Sequence, residues 1–144
     1  MQKQKEVICI SNESDADIVK PCQEIGLYLL ECGYNIRTNR HSPFLPENYR
    51  KYDGRVSFIE DVRPNMEHFK AAFGMGVSFG NKHGSTSREI VKYIAAVLGS
   101  ITVVIWPGKL DETINRVMFT AKTNKIPMFD ISNPKIFDKV WRNI

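Results

Sequence analysis

The feature that most constrains this chain is an almost uniformly apolar run, ITVVIW at 101–106, which stops at Pro107-Gly108. Strands of a parallel sheet that is covered by helices on both faces carry such continuous runs, whereas strands with one solvated face alternate. Apolar residues at helical spacing precede the run at 86–99 and follow it at 111–124. The run therefore predicts a central strand of a parallel sheet with helices on both sides.

Strand-like and helix-like segments also alternate at the start of the chain. EVICIS at 6–11 and YNIRT at 34–38 are short strand-like runs. The helical pattern between them predicts a helix that starts near 17–20, with Pro21 in its first turn, and that stops at Gly33. A strand, a helix and a strand within so few residues favour a parallel pair with a right-handed crossover.

The remaining segments extend the same alternation. IPMFDI at 126–131 predicts a further strand, and the amphipathic pattern at 134–144 predicts a final helix. The stretch at 40–84 is irregular, with one candidate strand at 56–62 and one candidate helix that begins at Pro64. We therefore expect one α/β domain over residues 1–144. Its architecture would be Rossmann-like with three layers, an open and mostly parallel sheet, and an irregular insertion at about 40–84.

Composition sets loose limits on function. The formal net charge of +4 leans towards anionic partners such as nucleotides or nucleic acid, although 16 acidic residues are interspersed with the 20 basic ones. No apolar run approaches the roughly 20 residues of a membrane helix. The start MQKQKEV is not followed by the apolar segment of a signal peptide. These features predict a soluble, cytoplasmic protein with no membrane partner.

Cysteine and histidine usage gives no sign of a metal centre. Cys9, Cys22 and Cys32 form no C-x-x-C pair, and we expect three buried, reduced thiols. The three histidines stand at 41, 68 and 83, with no spacing typical of metal ligands. We therefore expect no metal and no cofactor.

Polar loops follow three of the predicted strands and form the candidate binding site. Ligands of open α/β sheets bind beyond the carboxyl ends of the strands, where the strand order reverses. These loops combine small hydrogen-bonding side chains, cations and helix N-termini that attract anions. Arg37 and Arg40 in addition form a candidate fork for phosphate or carboxylate. The predicted ligand-binding residues are Ser11, Asn12, Thr38, Asn39, Arg40, Ser42, Trp106, Pro107, Gly108 and Lys109.

Two blocks of the chain resemble the SLOG superfamily of Rossmann-like domains. Residues 87–131 look like the family's helix, its apolar strand ending at Pro-Gly, the next helix and the I-P-x-F strand. GLYLLECGYNIRTN at 26–39 is similar to the family's first helix and second strand. The superfamily includes the DNA-processing protein A domain and the LONELY GUY nucleotide phosphoribohydrolases. The resemblance implies a Rossmann-like fold and a nucleotide-like ligand.

The chain departs from the family pattern at both phosphate-binding turns. Where the family has a glycine pair after the second strand, this chain has Asn39-Arg40-His41. Side chains there obstruct the close backbone approach that glycines permit. After Pro107-Gly108, the further glycines of the phosphoribohydrolases are missing.

The same departures bear on catalysis. By resemblance, Glu112 stands nearest to the family's catalytic glutamate and Arg88 loosely matches an arginine on the preceding helix, but the spacings differ. A misplacement of even ~1 Å between catalytic groups can lose most of the rate. We therefore favour a protein that binds a nucleotide or nucleotide-derived anion without efficient catalysis.

Two alternatives remain open from the sequence. The first is an enzyme that cleaves or transfers the N-glycosidic bond of a nucleotide or nucleoside. The second is a module for single-stranded DNA, because basic and aromatic residues interleave within the insertion. The residues concerned are Arg50, Lys51 and Arg55 with Phe44, Tyr49 and Tyr52. A homodimer is also plausible, since helices of small α/β domains often pair through an apolar face.

Overall fold

The fold is an open α/β sheet in which the described strands all run parallel. A computed structural model describes residues 6–12, 15–74, 84–108 and 110–131, with the side chains of 84–87 outside this description. The strands are β1 (Glu6–Ser11), β2 (Asn35–Thr38), β3 (Val56–Phe58), β4 (Thr102–Trp106) and β5 (Met128–Asp130). The α-helices are α1 (Ala16–Glu31), α2 (Met66–Gly74), α3 (Gly84–Leu98) and α4 (Glu112–Thr123). Single 3-10 turns occupy Tyr49–Tyr52 and Ile59–Asp61.

The order of the strands places a reversal at the centre of the sheet. Across the sheet the strands lie in the order β3-β2-β1-β4-β5, and each pair of neighbours among these described strands is parallel. The chain therefore builds outward from β1 in one direction and from β4 in the other. The crevice between β1 and β4 is the topological switch point at which such sheets bind ligands.

Helices cover both faces of the sheet, which explains the uniformly apolar strands. Alternate residues of β1 point to opposite sides: Val7 and Cys9 pack with α1, and Ile8 and Ile10 pack with α3 and α4. In β4, Val103 and Ile105 belong to the α3–α4 side and Val104 to the α1 side. The prediction of a three-layer α/β domain with a central ITVVIW strand is thus confirmed.

Helix α1 starts earlier than the sequence predicted. Asp15 caps it by accepting a hydrogen bond from the Asp17 amide at 3.0 Å, so the helix begins at Ala16. Pro21 consequently lies in the second turn, and the expectation of a first-turn position was wrong. The helix ends as expected, because Gly33 adopts a φ of +94° and its amide bonds the Leu30 carbonyl.

The irregular stretch at 40–84 supplies an edge strand and a helix to the fold. The candidate strand at 56–62 is only partly extended: Val56–Phe58 pairs with β2, and the chain then turns into the 3-10 segment Ile59–Asp61. The candidate helix that begins at Pro64 is observed as α2, from Met66. The predicted helix at 134–144 lies outside the described residues.

The sequence predicted three buried cysteines, but one of the three is exposed. Cys9 and Cys22 are fully buried on the α1 side of the sheet, whereas Cys32 is exposed at the end of α1. The prediction was wrong for Cys32 because position 32 is the C-cap of α1, beyond the buried residues of the helix, the last of which is Leu30.

Candidate functional site

At the carboxyl ends of β1 and β2, side chains replace the backbone ladder. The two strands pair from Glu6–Asn35 to Ile8–Arg37. Beyond that point the Thr38 hydroxyl donates to the Cys9 carbonyl at 2.7 Å. On the other side of β1, the Ser11 hydroxyl donates to the Trp106 carbonyl at 2.7 Å. Side-chain bonds therefore hold the strand ends where the crevice opens.

A cavity of about 110 Å³ lies at the switch point between β1 and β4. It is lined by the end of β1, the residue after β2, one side chain of α3 and the first turn of α4. The lining residues are Ile10, Ser11, Asn12, Asn39, Tyr93, Asp111, Thr113 and Ile114. This protein therefore has a cavity at the position where open α/β sheets bind ligands.

Asn12 ties the loop after β1 to the loop after β4. Its side-chain oxygen accepts from the Gly108 amide at 2.8 Å, and its nitrogen donates to Asp111 Oδ2 at 3.2 Å. Asp111 in turn caps α4 through Oδ1, which accepts from the Ile114 amide at 2.8 Å. The floor of the cavity is thus fixed by one amide side chain and one carboxylate.

A second cavity, of about 260 Å³, adjoins the first on the α3 side and is called the Tyr93 cavity below. The two cavities share Asn39 and Tyr93. The lining residues of the Tyr93 cavity are Asn39, Ile59, Glu60, Glu89, Lys92 and Tyr93. Small-molecule sites usually occupy roughly 300–1,000 Å³, so either cavity alone is small for a nucleotide. A ligand of that size would extend through both.

Asn39 and Glu60 organise the boundary between the cavities. Asn39 Nδ2 donates to the Tyr93 hydroxyl at 2.8 Å and lies 3.3 Å from Glu60 Oε1. Glu60 Oε2 accepts from the Arg40 amide at 3.0 Å. The Lys92 ammonium donates to the Glu60 carbonyl at 3.1 Å. The turn after β2 is thereby joined to α3 and to the 3-10 segment after β3.

The electrostatics around Tyr93 are acidic. Burial raises the pKa of its hydroxyl above the ordinary tyrosine value, the hydrogen bond from Asn39 lowers it, and the carboxylates of Glu60, Glu89 and Asp111 raise it further. Tyr93 is therefore a neutral hydroxyl at physiological pH. These three carboxylates place negative charge beside Tyr93, which opposes the expectation that this end of the crevice holds phosphate.

Part of the predicted binding set lies together at this site. Ser11, Asn12 and Asn39 line the cavities, and Gly108 is bound to Asn12. Thr38 is fully buried and its hydroxyl bonds the Cys9 carbonyl, so it stabilises the strand end and does not line the cavities. Ser42 accepts from the Phe44 amide at 3.1 Å in the following turn. Trp106 packs partly buried against the α1 side, Pro107 is half-buried after β4, and Lys109 lies outside the described residues.

The two candidate fork arginines have carboxylate partners within the protein. Arg37 Nε donates to Glu6 at 2.9 Å, and its Nη1 donates to the Phe58 carbonyl at 2.9 Å. Arg40 contacts both oxygens of Asp61 at 2.6 and 2.7 Å and lies over the Phe58 ring. Arg37 thus links β2 to β1 and β3, and Arg40 links the turn after β2 to the 3-10 segment after β3. The two arginines do not form a fork in the crevice.

The two candidate catalytic residues do not line the cavities. Glu112 is the exposed first residue of α4, and Arg88 is exposed near the start of α3. Neither lines the switch-point cavity or the Tyr93 cavity.

The basic and aromatic residues of the insertion pack largely on each other. Phe44 is fully buried, so its ring is not accessible to a base. Arg55 donates to the Leu30 and Tyr34 carbonyls at 2.6 and 2.9 Å, which secures the end of α1. Tyr49 meets Phe58 edge-on with ring centroids 6.0 Å apart. In the set proposed for single-stranded DNA, Arg50 and Lys51 are exposed and the other four residues are at least partly buried.

Sequence reasoning missed the residues that α3 and the 3-10 segment contribute. Glu89, Lys92 and Tyr93 lie on α3, for which the sequence indicated only an apolar face. Glu60 lies in the segment at 56–62 that was predicted as a strand. The available signal was the spacing of Glu89 and Tyr93, which places both on one face of α3. Nothing in the sequence showed which strand end that face meets.

Larger hollows lie away from the strand ends. A groove of about 460 Å³ runs between α1 and the loop at 46–48, and an apolar one of about 450 Å³ lies along α4 and β5. We place the functional site at the smaller cavities because polar groups from four segments converge there, at the switch point.

The fold and the cavities define a doubly wound α/β domain with a polar crevice at its switch point. No protein-family model, curated protein or solved structure matches the chain. In the part of the chain that the structure describes, no helix combines the length and apolar character that a membrane crossing requires. Within the same ranges, no three His, Cys, Asp or Glu side chains form a group that could hold a metal ion.

Proposed function

We propose that this protein binds a nucleotide or nucleotide-derived ligand across the carboxyl ends of β1, β2 and β4, without efficient catalysis. The observation that carries the proposal is the pair of adjoining cavities at the topological switch point. Their walls offer amide, hydroxyl and carboxylate groups from Asn12, Asn39, Tyr93 and Glu89, which suit the hydroxyls of a sugar and the edge of a base. The SLOG resemblance of the sequence supports the same class of ligand.

The lack of efficient catalysis rests on where the candidate groups stand. Glu112 and Arg88 are exposed and do not line the cavities. Asp111 is engaged by the Ile114 amide and by Asn12, which leaves it less free to act as a base. General-base catalysis requires the base within hydrogen-bonding reach of the proton that it takes.

Calorimetric titration with a panel of nucleoside 5′-monophosphates, diphosphates and triphosphates tests the proposal. We expect saturable binding by at least one of them, and Asn39→Ala should weaken it at least tenfold because Asn39 lies on both cavities. Asn48→Ala is the matched control, since Asn48 is exposed and lies in the groove beside α1. Failure of every nucleotide to bind at millimolar concentration would refute the proposal.

The alternative activity is cleavage of an N-glycosidic bond. One observation favours it: two carboxylates, those of Glu60 and Glu89, line the Tyr93 cavity. Hydrolysis at an anomeric carbon commonly uses a pair of carboxyl groups. Incubation with nucleoside monophosphates, followed by chromatography for the free base, tests this activity. Release that Glu89→Gln abolishes and Glu112→Ala preserves would assign the chemistry to the cavity. The reverse pattern would assign it to the residue that the family resemblance suggests.

A further inference from the structure

The Tyr93 hydroxyl is a hydrogen-bond donor turned towards a cavity. It accepts from Asn39 Nδ2 at 2.8 Å, so one lone pair is used and its own hydrogen remains to be donated. Because the pKa of Tyr93 is raised, mainly by burial, this hydrogen is retained well above neutral pH. The hydroxyl therefore suits an oxygen acceptor on a ligand.

Glu89 supplies the complementary acceptor. It stands four residues before Tyr93 on α3, so the two side chains share a helix face, and both line the same cavity. Glu60, by contrast, is occupied: its carboxylate oxygens contact the Asn39 amide nitrogen and the Arg40 backbone amide. Glu89 is exposed and is the carboxylate of the cavity that is placed to accept from a ligand.

The charge of this cavity disfavours a phosphate. Among the described residues that line it, two carboxylates, Glu60 and Glu89, face one ammonium, that of Lys92, which already donates to the Glu60 carbonyl at 3.1 Å. The Asp111 carboxylate adds to the negative field at Tyr93. A carboxylate is an acceptor only, and the two adjacent O–H donors of a diol are one group that satisfies it. Acidic residues recognise ribose hydroxyls in other open α/β sheets in this way, whereas a phosphate on the ribose requires a cation there.

We infer that the Tyr93 cavity receives the ribose 2′,3′-diol of the ligand. Glu89 accepts from the diol, Tyr93 donates to one of its oxygens, and the 5′-phosphate points out of the cavity. This inference rests on the proposed function and assigns an orientation to the ligand. Its consequence is selectivity: the site accepts nucleosides phosphorylated at the 5′ position and rejects those phosphorylated at the 2′ or 3′ position.

Titrations with matched isomers test the orientation. The probes are the 5′-monophosphate of whichever nucleoside binds best, its 3′-monophosphate isomer and its 2′-deoxy-5′-monophosphate. For the unmodified protein, we expect the 5′ isomer to bind at least tenfold more tightly than the 3′ isomer. The deoxy compound should bind severalfold more weakly than its ribose counterpart.

Substitution of Glu89 then assigns the selectivity to this residue. Glu89→Gln keeps the size of the side chain and removes its charge, so it should weaken 5′-monophosphate binding and reduce the preference over the 3′ isomer at least fivefold. Glu31→Gln is the matched control, because Glu31 is exposed at the end of α1 that lies at the amino edge of the sheet. Glu89 is exposed, and thermal melting of the variant should match that of the unmodified protein.

The outcomes separate the inference from the proposed function. Binding of the 5′ and 3′ isomers with equal affinity, or a preference that Glu89→Gln leaves unchanged, overturns the orientation while nucleotide binding stands. If only diphosphates or triphosphates bind, equal affinity for their 2′-deoxy forms overturns the orientation. Absence of binding by every nucleotide overturns both.

Discussion

Adjacent residues after β2 have opposite tasks. Thr38 turns into the fold, is fully buried and donates to the Cys9 carbonyl at 2.7 Å. Asn39 turns out of the sheet and donates to Tyr93 on α3 at 2.8 Å. Because side chains alternate along a strand, the end of β2 can hold the core and line a cavity within two residues.

Gly26 is a residue at which a single methyl group decides stability. It is buried in α1, and a Cβ there would collide with the backbone carbonyl oxygen of Phe44, which cannot swing aside as a flexible side chain could. We predict that Gly26→Ala destabilises the protein by about 1–3 kcal/mol, as overpacking of a core does.

Urea unfolding of Gly26→Ala beside Gly74→Ala checks this prediction. Gly74 ends α2, and an added Cβ there meets no atom of the described residues within 4 Å. The control should be neutral or slightly stabilising, because alanine favours helices over glycine. Equal midpoints for the two variants would show that the α1–Phe44 contact is looser than described.

At the scale of elements, the start of α4 is coupled to the end of β1. Asp111 caps the helix by accepting from the Ile114 amide at 2.8 Å, and its other oxygen accepts from Asn12 at 3.2 Å. Asn12 also holds the Gly108 amide at 2.8 Å. One carboxylate therefore stabilises a helix and positions the loop that closes the switch-point cavity.

We predict that Asp111→Ala lowers the free energy of unfolding by about 1–2 kcal/mol, the usual cost of a lost N-cap. Asn12→Ala should cost less by itself. The double variant should cost less than the sum of the two, since each single change already breaks the shared bond. Denaturant unfolding of the four proteins measures the coupling, and strictly additive costs would show that the Asn12–Asp111 contact contributes nothing.

At the scale of the whole molecule, the α1 side of the core contains two buried thiols. Burial raises the pKa of Cys22 from 9.0 to about 12, and it raises the pKa of Cys9 still further, with a smaller contribution from Cys22 itself. In the unfolded chain both thiols ionise at their ordinary, lower pKa. The unfolded state therefore loses protons first as the pH rises.

Stability should consequently be complete below about pH 9 and should fall as the pH rises towards 12. Each buried thiol contributes a slope of at most about 1.4 kcal/mol per pH unit. Unfolding free energies measured from pH 8 to 11 check this, and Cys22→Ala should flatten the decline. Cys32→Ala is the control, because Cys32 is exposed. A decline that is equally steep in both variants would assign the alkaline loss to other groups.

The sequence predicted most of the elements because their signals are local. The apolar run of β4 and the capped helices on both sides of it required only propensity and burial. The first turn of α1 was misplaced because Asp15 and the later residues compete as caps, and the position of Pro21 favoured the wrong one. The strand predicted at 56–62 includes the whole of β3 but extends beyond it, since the chain turns into the 3-10 segment Ile59–Asp61.

Part of the candidate site followed from the sequence in the same way. Ser11, Asn12 and Asn39 end strands, and the carboxyl ends of parallel strands meet at one edge, so their convergence could be predicted. Glu60, Glu89 and Tyr93 could not be found, because they come from a 3-10 segment and from a helix whose docking angle local sequence does not specify. Likewise, no local pattern indicates that Arg40 lies against Asp61, which is 21 residues away along the chain.

The sequence by itself determined the α/β alternation, the central position of β4 and the edge of the sheet where polar loops collect. These follow from periodicity and from the alternation of side chains, which act over a few residues. The tertiary structure alone decided the electrostatic character of the crevice. Long-range packing of α3 against α4 and the 3-10 segment after β3 brings carboxylates to Tyr93, and the fold pairs Arg37 with Glu6 and Arg40 with Asp61. Net charge counts every charged side chain equally, whereas a site responds mainly to those that folding places within about 10 Å of it.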